Sequence, residues 1–423
     1  MSDQATVTPR SAPAGDSAEG GGSQWTGRLQ FYAIGVIAAI AIALFFATLA
    51  AADAPAPADR IGGDYPAFYG AGRIAADGDW DDLYEMSRQV EAQAGLHPAD
   101  EGDAAWFFAY PPQVAFAYQP LAALDYHWSF LIHTLLMATL LLVAVLLARP
   151  MIPWLEGRVV LAFAIALLFW PMFRAVTGGS NAALTVFLIV AAWRLVYGNE
   201  PFAAGLVLAG LLYKPQFALP LIGLFLLAGY WRVVVGGAVG AMVFYATGAA
   251  LQGWAWGAEW LDSASSFGRL DAEVNGHSSV SFIGVAENLF GVGASPAVVV
   301  AWALAGATAV FLSWLWWRNG GHDLTGLLAI TVPAILLMSP HAMSQDGAVV
   351  VITAAIVMGF SASRQWMAWF LTIWVLGASQ ILIQQLGFSP GFVMLLIVFG
   401  GAWVFVHHPE RREMLRGRQP APV

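Results

Sequence analysis

The chain contains no cysteine, one lysine at Lys214, and few charges of either sign. Without thiols, disulfides, thiolate nucleophiles and cysteine-based metal centres are excluded in any compartment. Charged residues make up 11% of the 423, against about 25% in an ordinary soluble domain, while 59% are hydrophobic. A water-soluble fold does not suit that balance. Long polar linkers are also lacking between residues 29 and 406, so a single membrane domain is expected where length alone would suggest two soluble ones. The net charge of −9 would argue against nucleic-acid ligands if it were spread evenly, but it is not, and its distribution carries the topology; no glycine-rich phosphate loop for a nucleotide is evident.

Recurrent apolar runs are what the chain does have. Residues 1–28 are rich in Ser, Gly, Ala and Pro and are expected to form a disordered tail. The first run, from Leu29 to about Ala51, is long enough for a membrane span and too long for the apolar core of a signal peptide. Further spans are expected at about 128–148, 159–173, 180–193, 201–213, 215–231, 233–252, 297–317, 325–339, 347–362, 366–384 and 390–406. The expectation is an all-α polytopic membrane protein with about twelve transmembrane helices across 29–406. Its larger loops fall at 53–127 and 253–296, and a basic tail occupies 407–423. In the first loop, Leu83, Met86 and Val90 recur at helical spacing, which predicts amphipathic helices along the interface. The spans near Pro171, Pro201, Pro215 and Pro220 are short and interrupted, and irregular backbone at membrane depth survives where protein or a water-filled cavity satisfies it.

Charge gives the expected orientation. Twelve basic residues fall on the side of the two termini, against six (Arg60, Arg73, Arg88, Arg174, Lys214 and Arg269) on the other. The positive-inside rule then predicts cytoplasmic termini and an outward first loop in the cell membrane.

Chemistry must come from carboxylates, histidines and cations. Asp64, in Gly62-Gly63-Asp64-Tyr65-Pro66, follows the first span closely. It reads equally as a base poised beside a bilayer or as a turn-forming, helix-capping residue. Lys214, before Pro215, lies between two half-length apolar helices, and an ionisable group there reads as a functional candidate with a phosphate as its natural partner, or as a side chain that snorkels to the interface from a span end. In Ser339-Pro340-His341-Ala342-Met343-Ser344-Gln345-Asp346, the His and Asp read as a hydrogen-bonded pair, a metal pair or unrelated loop residues. A polar loop from Arg269 through Asp271, Glu273 and Asn275 to His277 and Ser278 suits either a hydroxylated ligand or plain solvation. His133 is expected to be a satisfied core residue.

Taken in order, the Asp just after the first span, Tyr110-Pro111-Pro112, Pro120-Leu121-Ala122, Gly178-Gly179-Ser180-Asn181 and Lys214-Pro215 resemble glycosyltransferase family 87 over roughly residues 30–405. The resemblance implies a GT-C membrane fold and an inverting transferase that moves a sugar, mannose above all, from a polyprenyl-phosphate donor to a glycolipid or glycan hydroxyl. It places the catalytic base on Asp64. It implies donor-phosphate contacts from Lys214, with His341 and Arg269, and sugar or acceptor contacts from Tyr65, Tyr110, Asn181, His277 and Asp346. Membrane lipids are expected neighbours, and neither cofactor nor metal is expected. Where the family often shows Gly-Gln, this chain has Gly178-Gly179. A secondary transporter, with its broken helices and buried charges, or a lipid flippase is the alternative.

Overall fold

The computed structural model describes residues 19–97, 106–293, 295–320, 322–360 and 363–407. Much of the two expected tails, 1–18 and 408–423, lies outside them. Among the described residues the chain is helical throughout and has no strand, only an isolated bridge between Ser279 and Met343.

The apolar runs do fold as helices. α1 (Glu19–Ala52) begins ahead of Leu29, so part of the expected tail is helical. It is followed by α2 (Tyr65–Asp77), α3 (Met86–Ala92), α4 (Pro112–Ala122), α5 (Tyr126–Ala148), α6 (Val159–Leu168), α7 (Trp170–Thr177) and α8 (Ala182–Tyr197). Next come α9 (Pro201–Ala209), α10 (Pro215–Leu227), α11 (Trp231–Gln252), α12 (Trp256–Asn275), α13 (Phe282–Phe290) and α14 (Pro296–Asn319). The last are α15 (Leu324–Met338), α16 (Val351–Phe360), α17 (Arg364–Ala378), α18 (Ile383–Leu386) and α19 (Pro390–His407).

Six of these stretches are long and apolar enough to cross a membrane: Gly27–Ala52, Tyr126–Ala148, Trp231–Gln252, Pro296–Asn319, Arg364–Leu386 and Pro390–His407. The expected twelve full crossings are therefore not reproduced. The shorter apolar helices run from 10 to 17 residues, and at 1.5 Å per residue they fall short of a hydrocarbon core about 30 Å thick. Several of them make up the interior. α15 is buried on all sides, as a helix apolar all round should be.

The expected span at 159–173 is two helices. After Leu168 the chain turns at Phe169 and restarts with Pro171 in the first turn, so α6 and α7 meet at 82°. A proline in the first turn gives up no helical hydrogen bond but cannot continue the preceding helix. By contrast, Pro220 lies inside a continuous α10.

α9 and α11 pack backbone to backbone. A Cβ at Gly205 would collide with the Val233 carbonyl, and one at Gly236 with that of Phe202. Small residues permit such close approach where apolar lipid gives helices little reason to associate.

Much of the first loop is packed into the bundle. α2 is buried over nearly its whole length, from Tyr65 to Ala75. Leu83 is buried, Val90 is half-buried and Met86 is exposed, while Gln89 and Ala92 are the buried residues of α3, so the three expected apolar positions do not share one exposed stripe. Gln89 and Gln93 point inward because each substitutes for a missing backbone partner. Gln89 Oε1 accepts from the Phe108 amide at 2.8 Å, and Gln93 Oε1 accepts from the Trp106 amide at 2.9 Å. These bonds draw 106–108 under α2, with Phe108 fully buried.

Candidate functional site

Two glycine pairs build the turn that carries Asp64. Gly62 and Gly63 have φ of +146° and +56°, and Gly179 has +76°. A Cβ on Gly63 would strike the backbone of Gly178, and one on Gly179 would strike Tyr65 and the Gly62 carbonyl. The loop after α1 thus interlocks with the loop after α7, and the Asp64 amide donates to the Gly178 carbonyl at 2.7 Å. This close approach is the structural use of Gly178-Gly179 in this chain.

Asp64 occupies the N-cap position of α2, yet its side chain makes no capping bond. Pro66 in the first turn removes one of the amides a cap would serve. The carboxylate instead points to a cavity, and its bond in the structure is a long one, 3.4 Å from Gln345 Nε2. Burial pushes its carboxyl up to about 6. Lys214 holds it down, Asp346 raises it, Arg174 lowers it and Asp271 raises it, with effects decreasing in that order.

The cavity has a volume of about 310 Å³, at the lower end of the ~300–1,000 Å³ typical of small-ligand sites. Asp64 and Gly63 form one wall, Trp170, Pro171 and Arg174 of α7 another, and Ser344 and Gln345 a third. Ser278, Gln380 and Gln384 close the remaining side. The 82° bend after α6 carries Arg174 to this wall. Arg174 is exposed and enters no ion pair among the described residues.

Behind the cavity lies a closed ion pair. Lys214 Nζ donates to Asp346 Oδ1 at 2.6 Å, with both side chains more than nine-tenths buried. Asp346 Oδ2 accepts from the Met343 amide at 3.1 Å. Of the readings left open for His341 and Asp346, a hydrogen-bonded pair does not form. His341 Nε2 instead lies 3.5 Å from Asp271 Oδ2 on α12, a contact that is not aligned as a hydrogen bond. The stretch from Arg269 to Asn275, read from sequence as a loop, is the end of α12.

The remaining candidates divide plainly. Tyr65 is fully buried beneath Asp64, bonded to Ser129 and packed among Tyr118, Tyr126, Phe130 and His133, so its ring does not line the cavity. Asn181 is also internal, accepting from Tyr118 Oη at 2.7 Å through its side chain and from Tyr213 Oη at 3.0 Å through its carbonyl. Tyr110 is half-buried and stacks on Tyr213, next to Lys214. His277 reaches Gln384 at the cavity rim, 3.0 Å between Nε2 atoms. Arg269 is exposed on α12, bonded to Ser266 and away from the cavity lining. His133 is a core residue as expected, but only partly satisfied, because Nδ1 has no partner. Among the described residues no cluster of His, Asp and Glu suits a metal ion.

Arg174, Gln345, Gln380 and Gln384 were not singled out from sequence. A signal was available for the two late glutamines: Gln380 and Gln384 are polar residues four apart at the end of an otherwise apolar span, where intramembrane polarity marks function.

The sequence model described as Glycosyltransferase family 87 matches residues 108–340, more than half of the chain. That stretch includes Arg174 and Lys214 but not Asp64, Asp346 or the late glutamines. Neither a curated protein nor a solved structure matches.

Proposed function

Because the chain belongs to glycosyltransferase family 87 and is therefore a membrane glycosyltransferase, we propose that it transfers a neutral sugar, mannose above all, from a polyprenyl-phosphate donor to a hydroxyl of a glycolipid or glycan. The observation that carries this reading is the cavity that presents one carboxylate, Asp64, and one cation, Arg174, neither engaged in an ion pair.

Glycosyl transfer from a lipid phosphate needs two charges held apart. A base takes the proton of the acceptor hydroxyl, whose oxygen attacks the anomeric carbon. The carbon–oxygen bond to phosphate breaks, and its electron pair leaves with the polyprenyl phosphate. Attack from the face opposite the departing phosphate inverts the anomeric centre. Asp64 serves as the base, since a carboxyl raised to about 6 is mostly ionised at neutral pH yet more basic than an ordinary aspartate. Arg174 stabilises the departing phosphate, with a planar fork of donors suited to it.

Lys214 takes a different part from the one its sequence context suggests. Held by Asp346, it sets the field behind Asp64 and lowers the cost of that carboxylate's charge. The reaction consumes no nucleotide, so the site works on the outer face, where lipid-linked sugars are the available donors. The basic-residue asymmetry supports this orientation. A cysteine placed at exposed Ala94 in this cysteine-free chain is expected to react with an impermeant thiol reagent in intact cells. Reaction only after the membrane is opened would reverse the orientation.

The mechanism is tested by Asp64→Asn, which keeps shape and turn geometry but loses the proton acceptor. Sugar transfer in nanodiscs is expected to fall by roughly 10²–10⁴ with donor binding retained. Comparable turnover in the two proteins would remove Asp64 from the chemistry.

A further inference from the structure

Most of the cavity lining is amides and hydroxyls, and its composition says what it contacts. Asp64 and Arg174 are the charged side chains among the lining residues; Ser180, Ser278, Ser344, Gln345, Gln380 and Gln384 supply neutral donors and acceptors. Neutral hydrogen-bonding groups at this density suit a polyhydroxylated, uncharged ligand.

Gln380 is the most informative of them. It is 6% exposed and lines the cavity, while its Nε2, enclosed against Gly391, has no hydrogen-bond partner among the described residues. A buried amide donor left unpaired is costly, so a side chain that leaves one unpaired in the free protein is a candidate for contact with a ligand.

The backbone aims it there. α17 ends at Ala378 and a 3₁₀ turn, Ser379–Leu382, precedes α18, which brings Gln380 and Gln384 to the same cavity. Gly377, just before this turn, packs on Phe169 and Pro171 at the start of α7, where a Cβ would not fit. The glutamines are thus pinned beside the helix that presents Arg174. Gly391 leaves room for the Gln380 amide, since a Cβ there would lie 2.8 Å from Nε2.

We infer that Gln380 and Gln384 form the subsite for the sugar of the lipid-linked donor, with the Gln380 side-chain amide hydrogen-bonding a sugar hydroxyl while the attached phosphate lies at Arg174. This rests on the donor reading given above and deepens it by dividing the donor between two walls. His277, through its contact with Gln384, orients the second amide.

The division predicts separable losses. Binding of a short isoprenyl-phosphate mannose and of the same isoprenyl phosphate without sugar is measured on wild type, Gln380→Leu and Arg174→Gln in nanodiscs. Wild type is expected to bind the sugar-bearing lipid more tightly. Gln380→Leu is expected to lose about 3- to 10-fold in affinity for that lipid, the worth of one hydrogen bond, and to leave the bare phosphate within twofold. Arg174→Gln is expected to weaken both. Because leucine removes an unpaired donor at similar volume, the melting temperature of Gln380→Leu is expected to be equal or higher, so an affinity loss is not a folding defect. An unchanged preference for the sugar-bearing lipid in Gln380→Leu, or equal weakening of both ligands, overturns the subsite alone. Failure of wild type to bind either lipid overturns the donor class, and the subsite with it.

Discussion

Two carboxylate–cation sets lie at the same end of this bundle, and they are built in opposite ways. Asp346 and Lys214 are bonded at 2.6 Å, buried, and further tied to the Met343 amide. Asp64 and Arg174 face a shared cavity without pairing, and Asp64 keeps only a long bond from Gln345. In the closed pair each charge is already balanced by the other, whereas separated charges leave one group to receive a proton and the other to receive a phosphate. Residue type does not distinguish the two sets. Connectivity does, because the interlocked glycine turns and the bent α6–α7 pair hold Asp64 and Arg174 where neither closes on the other.

The contrast is broken most severely by cutting the closed pair. Lys214→Met is expected to destabilise the protein by about 3–5 kcal/mol, since it strands the Asp346 carboxylate in a dry setting. Lys214→Met with Asp346→Leu is expected to recover much of that loss, because replacing both members removes the stranded charge. Thermal unfolding in mild detergent checks it, and a double variant no more stable than the single one would mean that the pair is not the closed unit described.

A smaller effect is expected at the open set. Arg174→Gln is expected to leave thermal stability within about 0.5 kcal/mol, as for an exposed side chain away from structural bonds, while transfer slows by roughly 10²-fold through loss of leaving-group stabilisation. A marked fall in melting temperature with unchanged transfer would invert the roles of the two cations.

The smallest effect is expected far from both sets. Arg88 bonds Asp77, Asp79 and Glu91 at the edge of the first loop, with partners that are largely exposed. Arg88→Ala is expected to cost no more than about 1 kcal/mol and to leave transfer unchanged. Lost activity there would extend the functional surface to the acidic face of α2 and α3.

Much of the helical layout was legible, because apolar runs of this length have few alternatives. The number of full crossings was not, since hydropathy registers apolar length without registering a turn such as the one at Phe169. Asp64 was legible as a candidate from its place between two glycines and a proline, but its unused cap position follows from how α2 packs and not from any local pattern. Lys214 and Asp346 were both recognised as important, but their bond spans 132 positions, and no local pattern reveals a partner at that distance. Arg174 served in the sequence only as one basic residue in a topology count, because the bend that aims it is invisible to a hydropathy profile. Tyr65 and Asn181 illustrate the reverse: polar aromatic and amide groups beside a candidate motif, both consumed by internal bonds.

The central claim is that Asp64 acts as a base from an open, partly desolvated position, and its pH dependence tests that most directly. A carboxyl raised to about 6 is protonated below that pH and cannot accept the acceptor's proton, so activity must rise with pH through this region and level above it. The measurement is the single-turnover transfer rate of the donor-saturated enzyme from pH 4.5 to 8, with folding monitored throughout. The expected result is a rate that climbs about tenfold per pH unit below 6 and reaches a plateau near neutrality, with the rise absent from the residual activity of Asp64→Asn. The contradicting result is the same rise, with the same midpoint, in both proteins.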